Sequence, residues 1–258
     1  MLSEMTLKLY VVHGSHPCAA VEKALQLKGL QYSVQEWPPP LHAPVQLLLF
    51  GRRTVPAMRN GAEKLVGSRE IMRRLDEMVP EPRLYPAAPE QRTRVEQAER
   101  WGDEEFQQVA RDLIWAGLMH RSGALVSYSR RSRLPIPALA VRISAPLIAF
   151  TERLLNRTND DVAKQRLDAL PEQMDRIESW IADGTIGDLE HPNAADLQIL
   201  STVALLATVA DARDALAGRR AVELARDLFP HTEGELPAGA LVKAGHAPAD
   251  QGLNSLKP

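Results

Sequence analysis

Apolar positions between Leu7 and Leu30 (LKLYVVHGSHPCAAVEKALQLKGL) change their spacing at one turn. Leu7, Leu9, Val11 and Val12 read as a short buried strand, and Val21, Ala24, Leu25 and Leu27 recur at helical spacing. Ser15, His16, Pro17 and Cys18 therefore fall at a helix start. Pro17 is tolerated there because a first-turn amide has no intrahelical partner, and Ser15 or His16 is expected to cap the free N–H groups. Those groups and the helix dipole favour an anion, such as a thiolate, beside the turn.

Gly29 reads as the helix stop, and Tyr32, Val34 and Glu36–Trp37 as a second strand, parallel to the first through a right-handed crossover. Pro38, Pro39 and Pro40 end it, and His42–Phe50 reads as a short helix. A strand at Thr54–Arg59, a turn at Asn60-Gly61, a strand at Glu63–Val66 and a helix from Ser68 follow. The order is βαβ then ββα, a small mixed sheet with helices on its faces. Pro80, Pro82, Pro86 and Pro89 mark a change of texture. Helical patterns then cover Arg92–His120, Pro137–Arg157, Val162–Ala182, Ala194–Ala210 and Asp214–Leu228. Asn193-Ala-Ala-Asp196 has capping-box spacing before the apolar run LQILSTVALLATVA, which predicts a helix at a domain centre. The expected division is an α/β domain over 1–80, a linker over 81–90, an all-helical domain over 91–230, and an extended tail over 231–258 rich in Gly, Pro, Ala and polar residues.

Composition narrows the function. A chain of 258 residues with a formal charge of -2 can bury a substantial core and is a poor match to nucleic acid. No apolar run reaches the roughly 20 residues of a spanning helix, and the N-terminus has no secretory pattern, so a cytoplasmic protein is expected. With one cysteine, Cys18, the chain forms no intrachain disulfide or dithiol centre. His13 and His16 flank the turn without metal-ligand spacing, and no metal is expected. Redox chemistry would need a second thiol from outside.

Three local patterns resemble the glutathione transferase family, and the likeness runs from the first strand to the last predicted helix. They are Ser15 followed by a helix ending Leu27-Lys28-Gly29-Leu30, the Thr54-Val55-Pro56 turn, and Val66-Gly67-Ser68-Arg69-Glu70-Ile71, similar to the family's Glu-Ser-x-x-Ile. The resemblance implies a thioredoxin-like N-terminal domain that holds a thiol, a cis proline at Pro56, and a helical C-terminal domain that shapes the second substrate's pocket. It also implies glutathione or another low-molecular-weight thiol as co-substrate, a small electrophile, and a homodimer. Nucleic acid is not an expected partner, nor is membrane contact. The chain departs from the family pattern at Gly67, where Glu or Gln is usual, and at His16. Ser15-His16-Pro17-Cys18 also lies in the frame of a Cys-x-x-Cys motif with serine in the nucleophile's place.

On this reading Ser15 is the catalytic hydroxyl, donating to the thiolate and lowering its pKa. The thiol's binding residues are His16, Cys18, Arg53, Val55, Pro56, Ser68 and Arg69. Val55 offers backbone groups to a peptide edge, and the amides of Ser68 and Arg69 suit a carboxylate. Arg111 and Trp115 line the electrophile's pocket. Plain structural roles stand beside these: Ser15 and Ser68 as helix caps, Cys18 as a small buried hydrophobe, Arg52 and Arg53 as solvated arginines, and Trp101, Phe106 and Trp115 as core. Asp196 belongs to folding. Tyr128–Phe150 joins a basic cluster to an apolar run, expected to be a solvated loop leading into a packed helix. The expected activity is conjugation or isomerisation of an electrophile. The alternatives are a non-catalytic binding protein of the same fold, or a thiol-dependent reductase or peroxidase using Cys18.

Overall fold

The computed structural model describes residues 7–241. Strand β1 (Leu7–Val11) lies at the centre of a four-stranded sheet, parallel to β2 (Tyr32–Glu36) and antiparallel to β3 (Ala57–Asn60), which pairs antiparallel with β4 (Glu63–Val66). Helix α1 (His16–Leu27) crosses between β1 and β2, α2 (His42–Phe50) follows β2, and α3 (Ser68–Met78) follows β4. Leu7, Leu9 and Val11 meet Val21, Ala24 and Leu25 of α1 and Ile71, Met72 and Leu75 of α3 in the core. The strand spacing selects Leu7, Leu9 and Val11 and the helical spacing Val21, Ala24 and Leu25; Val12 and Leu27, selected with them, are half-buried. β3 begins at Ala57, not Thr54, because Val55-Pro56 is a cis turn and proline has no N–H for the ladder.

The rest is helical: α4 (Pro89–Trp101), a π-helical turn (Gly102–Phe106), α5 (Gln107–His120), a 3₁₀ segment (Ser122–Ser129), α6 (Ala138–Leu155), α7 (Asp160–Ala182), α8 (Ala194–Leu206), α9 (Arg213–Leu216) and α10 (Arg220–Leu228). The thioredoxin-like α/β half followed by an all-α half is the fold class expected from the sequence. The one helix expected over Arg92–His120 is broken by the π turn at Gly102, where a β-carbon would stand 3.0 Å from both Gln198 and Ile199. Close approach to α8 requires glycine at this point. The helix expected to reach Ala210 ends at Leu206 because Val209 pairs with Leu236. Asp214–Leu228 is two helices, with Gly218 at φ +69 between them.

α8 is buried along all of its length and packs on α1, α4, α5 and α10. Its start is the expected capping box: Asn193 accepts from the amides of Ala195 and Asp196, and Asp196 accepts from Asn193 at 2.9 Å and from Gly187 at 2.6 Å. Asn193→Ala should destabilise the protein by about 1 kcal/mol, read as a lower urea midpoint at unchanged slope.

Residues 81–90 are not a free linker. Leu84 and Tyr85 are buried, and the carbonyl of Leu84 accepts from Ala194 at the start of α8. The segment after α10 is extended but tied down: Leu236 packs on Gly117 of α5, and Asp211 accepts from the amides of Gly239 and Leu241. Residues 242–258 of the expected tail lie outside the described residues.

Candidate functional site

A cavity of about 500 Å³ opens where the Val55-Pro56 turn meets the N-terminus of α3. Its walls are Pro17 of α1, Arg52, Thr54, Val55 and Pro56 ahead of β3, Gly67–Glu70 at the head of α3, and Asp103, Gln107 and Arg111 from the π turn and α5. Gly67 caps α3 with φ +105, a conformation that side-chain-bearing residues rarely adopt, so glycine at this departure from the family pattern follows from the backbone. No side chain caps α3, and its first amides remain available to an anion.

The hydroxyl of Ser68 points elsewhere. Ser68 is buried and donates to Oε1 of Gln198 on α8 at 2.7 Å, which joins the two halves of the chain and commits its proton. Asp103, Gln107 and Arg111 form a ladder one helical turn apart. Nε2 of Gln107 donates to Oδ1 of Asp103 at 2.7 Å, and Nη2 of Arg111 donates to Oε1 of Gln107 at 2.8 Å. Burial raises the Asp103 carboxyl above its ordinary range, opposed by Arg69 and Gln107. Arg69 leans toward α4 and the π turn, 3.5 Å from Glu99, 3.9 Å from Asp103 and 3.3 Å from Glu104. Glu99 is buried, takes the hydroxyl of Tyr85 at 2.6 Å, and is raised by burial against the pull of that hydroxyl, Arg69 and Arg73. Arg52 and Arg111 are the cations left facing the cavity without an ion pair among the described residues.

The turn before α1 is more enclosed. Ser15 sits at the N-cap in an extended conformation, but neither it nor His16 makes the expected side-chain cap. Ser15 is half-buried, and its side chain favours the charged form of the Cys18 thiol. Cys18 is buried, and burial pushes its thiol up to about 12, against the lowering effect of Ser15 and the Val12 backbone. The thiol stays protonated at neutral pH. His16 is buried, with its imidazole held well below the ordinary range first by burial and then by the charge of Arg111.

Later segments fold over this turn. The carbonyl of Tyr128 lies 3.7 Å from where a β-carbon on Gly14 would stand, and Nε2 of His13 is 3.3 Å from Glu233. Glu233 also accepts from the amide of Arg131 at 2.9 Å. Ser132 and the amide of Arg133 bond the buried carboxylate of Glu36 at the end of β2, and the Arg133 side chain reaches Glu22 of α1 at 2.7 Å. The connection from the 3₁₀ segment to α6 is thus tied to the end of β2, to α1 and, through Glu233, to His13.

Of the residues selected from sequence, Val55, Pro56, Ser68, Arg69 and Arg111 come together at the cavity, and the Val55-Pro56 bond is cis. Ser15, His16, Cys18, Arg53 and Trp115 do not line it. Arg53 is exposed while its neighbour Arg52 takes the wall, and Trp115 packs on the helical core. Sequence reasoning missed Asp103 and Gln107. Their four-residue spacing from Arg111, beginning beside a glycine inside a helical pattern, was the available signal. No cluster of three or more metal-ligating side chains occurs among the described residues.

Residues 9–83 match the family model described as glutathione S-transferase, N-terminal domain. The chain has the glutathione transferase fold. Glutathione transferase F2 from Populus trichocarpa superposes with a TM-score of 0.59 at 18% identity, covering 87% of this chain and 93% of that one. Beta-etherase LigF from Sphingobium sp. strain SYK-6 gives 0.59 at 19% identity, with 88% and 99% covered. A GST-like protein from Pseudomonas syringae gives 0.57 at 18%, with 96% and 77% covered. No curated protein sequence matches the chain.

Proposed function

We propose that this protein binds glutathione, or a low-molecular-weight thiol of the same dianionic peptide class, in the cavity between the Val55-Pro56 turn and the head of α3. The observation that carries the reading is the convergence on one cavity of a cis-proline turn, the uncapped amides of α3 and two unpaired arginines, Arg52 and Arg111. The backbone of Val55 pairs with the peptide edge to edge, the amides of Ser68 and Arg69 take one carboxylate, and Arg52 and Arg111 serve the second. The thiol then lies toward Pro17 and the Ser15 turn. As an enzyme the protein would use the Ser15 hydroxyl to stabilise the thiolate for attack on an electrophilic carbon, with the helical half selecting that electrophile and a homodimer as the working unit. Cytoplasmic glutathione pools would supply the co-substrate.

The position of Ser15 outside the cavity favours a second reading, a binding protein without turnover. Ser15 does not line the cavity, so its hydroxyl has no observed path to a thiol held there. Cys18 chemistry is disfavoured by a thiol that is buried and pushed up to about 12.

Calorimetric titration of glutathione at neutral pH tests the site. Wild type should bind in the micromolar to millimolar range, and Arg111→Ala should weaken binding about tenfold or more, as expected for a lost charge-assisted hydrogen bond. Ser68→Ala should change affinity far less, because its hydroxyl proton belongs to Gln198. No binding by wild type would remove the proposal. If an electrophilic aryl halide is turned over, Ser15→Ala should lower kcat about 100-fold or more; equal kcat would leave the hydroxyl outside the mechanism.

A further inference from the structure

α6 has two unlike faces. Val141, Ala145, Ala149 and Glu152 are buried against the protein, whereas Leu139, Ile143, Leu147, Phe150 and Leu154 are each 54 to 72% exposed. Steps of four, four, three and four residues put these five on one stripe, which at 1.5 Å per residue runs about 22 Å along the helix. α2 lies beside α6, with Nδ1 of His42 3.7 Å from Glu152, and exposes Leu41, Leu47 and Leu48. Scattered exposed leucines need no explanation, but a continuous stripe of this length does.

The unpaired charges flanking the stripe in sequence are mostly arginines. Arg142 is exposed beside it, Arg130 precedes α6, Arg157 follows it, and Arg53 follows α2; none of the four has an ion pair among the described residues. The only acidic residue of α6, Glu152, is turned inward and buried. Asp161 at the start of α7 is the exposed carboxylate nearest in sequence, and Asp160 is taken by Arg153. A second copy of the chain would set this arginine-edged face against an identical arginine-edged face. An anionic lipid surface satisfies both halves of the pattern, apolar side chains entering the acyl boundary and arginines meeting phosphates. Among the described residues no helix is long and apolar enough to cross a membrane, so α6 would lie in the plane of the interface.

We infer that the outer face of α6, extended by α2, docks the protein on an anionic membrane surface. This departs from the absence of membrane contact expected from sequence, where Tyr128–Phe150 reads as a solvated loop leading into a packed helix. It does not depend on the thiol-binding proposal, since neither α6 nor the leucines of α2 line that cavity.

The test is flotation of the full chain with vesicles of phosphatidylcholine alone and with phosphatidylglycerol added, beside light scattering of the protein without lipid. The chain should float with the anionic vesicles and remain behind with the neutral ones. Ile143→Asn combined with Leu147→Asn should reduce flotation about tenfold or more, and Arg142→Glu several-fold, with unchanged circular dichroism and thermal midpoint because all three side chains are exposed. Absence of wild-type chain from the anionic vesicle fraction overturns the proposal. So does a dimer that Ile143→Asn with Leu147→Asn converts to monomer, which would make the stripe a contact between copies.

Discussion

Lys28→Ala should lower the free energy of unfolding by about 3–5 kcal/mol, measured by urea denaturation at neutral pH. Lys28 follows the last turn of α1 with its side chain wholly buried, and its ammonium donates to Oδ1 of Asp76 at 2.6 Å, the carbonyl of Val79 at 2.7 Å and the carbonyl of Pro82 at 2.5 Å. All three protons are used. Asp76 also accepts from the amide of Leu84 at 2.7 Å, so the pair ties α1 and α3 to the segment that leads into the helical half. Alanine leaves the half-buried Asp76 carboxylate and two carbonyls without their ammonium donor, whereas Lys28→Met keeps the apolar stem and should be less damaging by about 1 kcal/mol. A Lys28→Ala protein as stable as wild type would show that the apolar anchors Leu84 and Tyr85 hold the segment unaided.

The second large effect is a pH dependence visible only when one of two neighbours is removed. Where α2 meets α6, burial pushes Glu152 up from its ordinary 4.5 to about 7, and His42 down from 6.5 to about 4. Their facing atoms are 3.7 Å apart, too far for a hydrogen bond. Native Glu152 keeps a proton that the unfolded chain releases, so its contribution is full below about pH 4.5 and fades as pH rises toward 7. Native His42 refuses a proton that the unfolded chain takes up, so its contribution is full above about pH 6.5 and fades as pH falls toward 4. Between these limits the two slopes oppose and nearly cancel. In Glu152→Gln the His42 slope remains, and stability relative to wild type should rise with pH by about 1.4 kcal/mol per unit across that window. His42→Gln should show the opposite slope of similar size. Parallel stability curves for wild type and both variants would mean that neither group is desolvated as its burial implies.

Much of the α/β half was legible because each signal there is local. Alternation in Leu7–Val11, helical spacing in Val21–Leu27, glycine after an asparagine at the hairpin and the Asn193–Asp196 box all act through backbone geometry within a few residues. The site was legible only in outline. Val55, Pro56 and the head of α3 converge because the crossover and the hairpin bring the proline turn and α3 to the same end of the sheet. The hydroxyls were less predictable, because a serine at a helix start has the same local pattern whichever neighbour it bonds. Ser15 makes no side-chain cap for its helix, and Ser68 turns to Gln198, 130 residues away.

By itself the sequence determined, to within a few residues, which segments are strands and helices and where the polypeptide must turn, which follow from side-chain periodicity and backbone sterics; the cis proline at Pro56 was implied only by the family resemblance. Only the tertiary structure decided that Gly102 lets α4 approach α8, that the segment from the 3₁₀ turn to α6 is tied to Glu36 and Glu22, that Arg52 and not Arg53 faces the cavity, and that α6 turns its larger apolar side chains outward. Each depends on contacts between residues far apart in the chain, where burial and hydrogen-bond satisfaction over the entire molecule select among orientations that local preference leaves equal.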